Sequence, residues 1–154
     1  MKILNALLFI ILAATATAAN LPYNETADAK LEIKQALTQA ATAKIPVIVV
    51  FGANWCGDCR ALDTAIKNGA SAALLSRDFS IVKVDVGQMD KNLDVAKSYG
   101  VPLEKGIPAV AIISTNNEVL YATRAGELAD ARKMGDNGIY EFFKRVTAPA
   151  AAKK

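Results

Sequence analysis

Histidine is missing from all 154 residues of this chain, and cysteine occurs only twice. The first absence excludes Ser-His-Asp and Cys-His catalysis and removes the commonest transition-metal ligand. The second excludes a four-cysteine zinc site within one chain. Charge is modest as well: the formal net charge is +3, and +2 once Lys2 is assigned to a leader. With the basic residues scattered, nothing argues for nucleic acid or an anionic membrane surface as a partner. Methionine is confined to Met1, Met89 and Met134, which, with histidine absent, leaves little for a copper site. No metal and no bound cofactor is expected.

What is present fits one ordinary domain. The length leaves no room for a second core, and a 53% hydrophobic content is enough to build one. Residues 1–19 read as a secretory signal peptide: Lys2 supplies the positive start, Ile3–Ala14 a short apolar run, and Ala16-Thr17-Ala18 a small-residue cleavage site. The run is shorter than the ~20 residues of a spanning helix, so cleavage is preferred to anchoring. Export would place the chain in an oxidising compartment, for which the bacterial periplasm is the preferred reading. Residues 20–147 are then the folded domain, and Ala148–Lys154 is a low-complexity tail expected to be disordered.

The pattern along the domain alternates. Asn24 or Thr26 caps a first helix to about Lys44, with an apolar stripe of Leu31, Ile33, Leu37 and Ala40–Ala41. Val47–Phe51 is apolar on both faces, as in a central strand covered on both sides. A helix opens at Cys56, and a shorter one covers Ala70–Leu75. Phe79–Val86 is a second strand, and Asp90 caps a helix from Lys91 to about Tyr99, stopped by Gly100. Ala109–Ile113 and Val119–Thr123 form a hairpin. Glu127–Gly138 is irregular or partly helical, and Asn137 caps a last helix, Ile139–Thr147, with Tyr140, Phe143 and Val146 on one side. The order α–β–α–β–α–β–β–α predicts an α/β fold, with a mixed four-stranded sheet and helices on both faces.

One motif carries chemistry. Trp55-Cys56-Gly57-Asp58-Cys59 follows the buried-type strand and opens a helix, and a Cys-X-X-Cys beside a βαβ pattern resembles the thioredoxin superfamily. Gly106-Ile107-Pro108, before the hairpin, resembles the family's cis-proline loop, and Gly126 matches a family glycine. The resemblance covers about residues 30–147 in element order. It is similar in particular to exported bacterial thioredoxin-like proteins such as the periplasmic thiol domain of the DsbD reductase.

The resemblance implies a thioredoxin fold and a redox pair, with Cys56 attacking and Cys59 resolving. Cys56 would sit at a helix N-terminus, where unpaired N–H groups and the helix dipole favour a thiolate. Cys59, one turn deeper, would close the mixed disulfide. Trp55 would shield the thiol and widen the contact with clients, and Ile107–Pro108 would pair with the client backbone. The expected activity is disulfide reduction on exported client proteins, recharged by a membrane thiol reductase, by a monomer. A disulfide-forming oxidase or isomerase is the alternative, and a non-catalytic thiol- or copper-binding chaperone is one of another class. A purely structural bridge is disfavoured, because a loop closed across two residues adds little stability.

The chain departs from the family at three places. Typical thioredoxins carry a buried Asp six residues before the first cysteine, where this chain has Val50. Lys83, which would neighbour that acid, is therefore expected to be a surface lysine that snorkels. Asp58 is expected to raise the pKa of a neighbouring thiol by like-charge repulsion and so make the pair more reducing. Val101–Lys105 is longer than the matching stretch of thioredoxin. It stands either as a shaper of partner choice or as a tolerated insertion.

Overall fold

A computed structural model describes residues 21–151 of the chain. The expected leader, residues 1–19, and the end of the expected tail, residues 152–154, lie outside the described residues.

Four strands form one sheet: β1 (Val47–Gly52), β2 (Ser80–Asp85), β3 (Ala109–Ile113) and β4 (Val119–Ala122), in the order β2-β1-β3-β4. β1 runs parallel to β2 and antiparallel to β3, and β3 pairs antiparallel with β4. The crossover from β1 to β2 is made by α2 (Gly57–Asn68) and α3 (Ala70–Asp78). α1 (Ala29–Ala43) precedes β1, α4 (Leu93–Ser98) follows β2, and α5 (Ala131–Ala151) closes the chain.

The continuous apolar run of β1 is explained by what covers it. Side chains alternate across a strand, so Val47, Val49 and Phe51 enter one core with Ile33, Ala36 and Ala40 of α1 and Val95 of α4. Ile48 and Val50 enter the other core with Leu62 and Ile66 of α2, Leu75 of α3, and Ile139, Phe142 and Phe143 of α5. Each full burial of such a side chain stabilises the fold by about 1.5–3 kcal/mol. Phe142 and Phe143 pack edge to face at 5.3 Å between ring centroids. This is the mixed, helix-covered sheet of a thioredoxin fold.

Several boundaries differ from the sequence reading. Asp28, not Asn24 or Thr26, caps α1 by accepting the Leu31 N–H at 3.1 Å. Asn24 folds back on its own turn and accepts the Thr26 N–H. The buried stripe of α1 is then Ala29, Ile33, Ala36 and Ala40, which leaves Leu31 half exposed. Asp90 does not cap α4: its carboxylate accepts the Gln88 N–H, and Asn92 precedes the helix in a left-handed conformation.

α5 begins at Ala131 and breaks at Gly135, whose φ of 64° and ψ of 179° are not helical. Asn137 therefore lies in the first turn after this break, two residues beyond Gly135. Its neighbour Asp136 is turned back to accept the Ala70 N–H at 3.0 Å, tying the start of α3 to α5. Tyr140 is only half-buried, and Ile139 and Phe142 take inward positions beside Phe143 and Val146. The helix continues through 148–151, a stretch expected to be disordered.

Candidate active site

The site is built where β1 ends and α2 begins. Cys56 is the N-cap of α2: its backbone is extended, and its sulfur accepts the Cys59 N–H at 3.1 Å. A cap group of this kind satisfies one of the orphan donors of the first turn and lies at the positive end of the helix dipole. Cys59, one turn on, is bonded to Cys56 as a disulfide with its Cα 5.2 Å away. The two residues are both buried but not equally, since Cys56 keeps 6% of its surface and Cys59 none. Of the two, only Cys56 keeps any surface toward solvent.

The second wall of the site is the loop before β3. The Ile107–Pro108 peptide bond is cis. The Ile107 carbonyl oxygen lies 3.6 Å from the Cys56 sulfur. This loop is held from behind by Gly126, at the exit of the hairpin. Gly126 has a φ of 75°, and a Cβ there would strike the Lys105 carbonyl, so the close approach of the two loops requires glycine. Trp55 stands beside the disulfide with about half its surface in solvent, and its Nε1 donates to the Gly87 carbonyl at 2.7 Å. The structure thus brings Trp55, Cys56, Gly57, Asp58, Cys59, Ile107 and Pro108 into one region, the first five from the junction of β1 and α2 and the last two from the loop before β3.

Asp58 is not the free negative charge the sequence reading assumed. Its carboxylate accepts the Arg132 backbone N–H at 2.9 Å and the Arg132 guanidinium at 3.0 Å. The Arg132 side chain, then its backbone N–H, holds the Asp58 pKa below the ordinary value, so the acid stays ionised but paired. A paired carboxylate repels a neighbouring thiolate less, which weakens the expected effect on the cysteines.

Lys83 is likewise not a partnerless surface lysine. It sits opposite Val50 in the β1–β2 register and forms an ion pair with Asp63 of α2, which also holds Lys67 at 2.9 Å. Burial pushes the Lys83 pKa down while Asp63 opposes it. The acid missing from β1 at Val50 is thus replaced, as Lys83's partner, by one on the helix a turn beyond Cys59.

Further residues of the region were not legible beforehand. Asn54, buried just ahead of Trp55, bonds the backbone of Tyr23 and the Glu25 carboxylate, and its carbonyl accepts Arg60 at 2.6 Å. Arg132 comes from α5. No spacing in the chain links these residues to the cysteines; the one available signal was the glycine at the end of an otherwise apolar strand, Gly52. Val101, Pro102 and Leu103, from the long loop, line an apolar groove of about 810 Å³ with Met89, Leu93 and Arg124. The loop leads directly into the cis-proline turn.

Comparison with known proteins agrees with this geometry. Residues 28–114 match the family described as Thioredoxin-like. A crystal structure of a disulphide isomerase from Xylella fastidiosa is 49% identical, with a TM-score of 0.80, over 84% of this chain and 99% of that one. A protein disulfide-isomerase of Ricinus communis is 29% identical over 70% of this chain, which spans only 20% of that protein's length. A thioredoxin of Pseudomonas aeruginosa is 30% identical over 56% of this chain and 71% of its own.

Proposed function

This chain belongs to the thioredoxin-like family of thiol–disulfide oxidoreductases, and from that premise we propose that it is a disulfide reductase acting on exported proteins in the periplasm. The observation that carries the reading is the unequal placing of the two bonded cysteines, one at a helix N-terminus with the last trace of exposed surface and one fully buried a turn deeper. In the reduced form, the Cys56 thiolate attacks one sulfur of a client disulfide, the client S–S bond breaks, the other client sulfur leaves with the bonding pair and takes up a proton, and a mixed disulfide with Cys56 remains. Cys59 then attacks Cys56, the second client sulfur leaves as a thiol, and two electrons have passed to the client. The client backbone lies along the cis-proline loop, with Trp55 against its side chains. A membrane thiol reductase returns the pair to the dithiol.

The reducing direction is supported by what surrounds Cys56. Its sulfur accepts one backbone N–H, and the residue two positions on is an acid already paired to Arg132. Strong oxidants owe their potential to a highly stabilised reduced form, and these contacts offer limited stabilisation. Export rests on the leader pattern of residues 1–19.

The test is the reduction potential of the Cys56–Cys59 pair, measured by equilibration with a glutathione buffer. A value near about −270 mV supports a reductant, and one near about −120 mV makes the protein a disulfide donor instead. A second reading, isomerase, is favoured by the 49% identity to the Xylella protein of that name. Recovery of a scrambled-disulfide substrate, without net reduction, separates it from the first.

A further inference from the structure

Tyr23 lies outside every helix and strand, in the segment leading into α1, yet it is one of the most buried residues of the site at 3% exposure. Its backbone is fixed to the active-site loop at both polar groups. Its N–H donates to Asn54 Oδ1 at 3.0 Å, and its carbonyl accepts Asn54 Nδ2 at 2.8 Å. Its phenol reaches the end of β1. A Cβ on Gly52 would fall on the Tyr23 hydroxyl and would lie 3.0 Å from the Cys59 sulfur. The space that a side chain at Gly52 would take is filled instead by the phenol, and the same spot borders the buried Cys59 sulfur.

That sulfur has a chemical difficulty. Cys59 is fully buried, and an apolar setting raises the pKa of a thiol, although only the thiolate attacks. The side chains of β1 are apolar throughout and supply no polar partner. The charged groups near the phenol are Asp63 of α2, paired with Lys83 and Lys67, and Asp85 at the end of β2, 3.7 Å from Lys91. Burial first, then the charges of Asp63 and Asp85, holds the Tyr23 pKa far above its ordinary value. The phenol keeps its proton at any working pH and is a permanent donor.

We propose that Tyr23 is a functional residue of the redox site, whose hydroxyl donates a hydrogen bond to the Cys59 sulfur as that sulfur becomes a thiolate. The inference rests on thiol–disulfide exchange at Cys56–Cys59, in either direction. In the closing step the Cys59 S–H bond breaks, and its sulfur forms a bond to the Cys56 sulfur. The Cys56–client S–S bond breaks, and the departing client sulfur takes both electrons of that bond and one proton. Tyr23 supplies no proton to the balance; it lowers the energy of the buried anion. A residue that is neutral throughout serves here without placing another buried charge beside the cysteine.

The experiment compares the reduced wild-type chain with Tyr23→Phe, which keeps the ring and removes only the oxygen. Each is mixed with the aromatic disulfide 5,5′-dithiobis(2-nitrobenzoate). The first thionitrobenzoate released reports attack by Cys56, and the second reports closure by Cys59. We expect the first rate to change less than twofold in the variant. The second should slow at least tenfold near pH 7, with its pH midpoint raised and the deficit vanishing well above that midpoint. A second rate within twofold of wild type, or slowed equally at every pH, overturns the proposal. Absence of any second release from wild type would instead sink the exchange reading itself. A measurement without a variant stands beside it: in reduced wild type, the Tyr23 ring ¹³Cζ resonance should shift with the Cys59 titration. A resonance indifferent to that titration also overturns the proposal.

Discussion

Asn54 grips Tyr23 by both of its backbone polar groups, through its own Oδ1 and Nδ2 at 3.0 and 2.8 Å. Asn54 also stands two residues before Cys56, so one side chain joins the start of the domain to the redox loop. Replacing Asn54 with Ala leaves a buried N–H and a buried carbonyl without partners, at a cost of about 1–3 kcal/mol for each group left unsatisfied. Urea unfolding should show a loss in that range with an unchanged slope. A loss below about 0.5 kcal/mol, the scatter of ordinary surface changes, would mean that water replaces the side chain without penalty.

The Asp58–Arg132 pair sets a signed prediction for the reactive thiol. Arg132→Ala removes the cation and leaves the Asp58 carboxylate uncompensated near the cysteines, so the Cys56 pKa rises. Asp58→Asn leaves the guanidinium uncompensated, so the Cys56 pKa falls. Both effects should be a few tenths of a pH unit, because the pair is solvent-screened. Alkylation by iodoacetamide as a function of pH reads both, and equal shifts of one sign would show that the variants act through structure, not charge.

Trp55 is about half exposed, and only its Nε1 is anchored, to Gly87. Trp55→Ala should raise KM for a protein disulfide by about tenfold, the loss of about 1.4 kcal/mol of contact. The rate with a small aromatic disulfide should stay within twofold. A matching fall in both would place Trp55 in control of Cys56 itself rather than of the client.

Glu127 folds the exit of the hairpin over the proline loop. Its carboxylate accepts the N–H groups of Arg124 and Ala125 at 3.0 and 2.9 Å. Burial opposes its ionisation, but these bonds outweigh burial and hold its pKa below the ordinary value. An acid with a depressed folded pKa stabilises the fold above its unfolded pKa of about 4.3, and that stability is lost as pH falls through the folded value. Thermal melts from pH 6 to 3 should therefore decline less steeply in Glu127→Gln than in wild type. An identical decline would show that Glu127 takes no part in acid unfolding.

The elements differed in how well they could be read. β1, the Cys-X-X-Cys turn and the hairpin were legible, because each is written in adjacent residues: an unbroken apolar run, a spaced pair, two β-rich stretches around Asn116-Asn117. Helix starts were less so. Asn24, Thr26 and Asp90 are all residue types that cap helices, yet Asp28 does so for α1 while the other three bond elsewhere. A cap is chosen by where the helix must begin to bury its stripe, which is a matter of packing.

The sequence by itself determined that this is a helix-covered mixed sheet with one redox pair at the mouth of its central strand. Hydrophobic periodicity and the spacing of two cysteines are local properties, and a chain can state them without folding. Only the tertiary structure decided which groups attend that pair. Val50 leaves the strand without an acid, Asp63 takes Lys83 from the helix, Arg132 neutralises Asp58 from α5, and Tyr23 fills the space of Gly52 from the segment before α1. These are contacts between residues distant in sequence, set by close packing and by the need of every buried polar group for a partner.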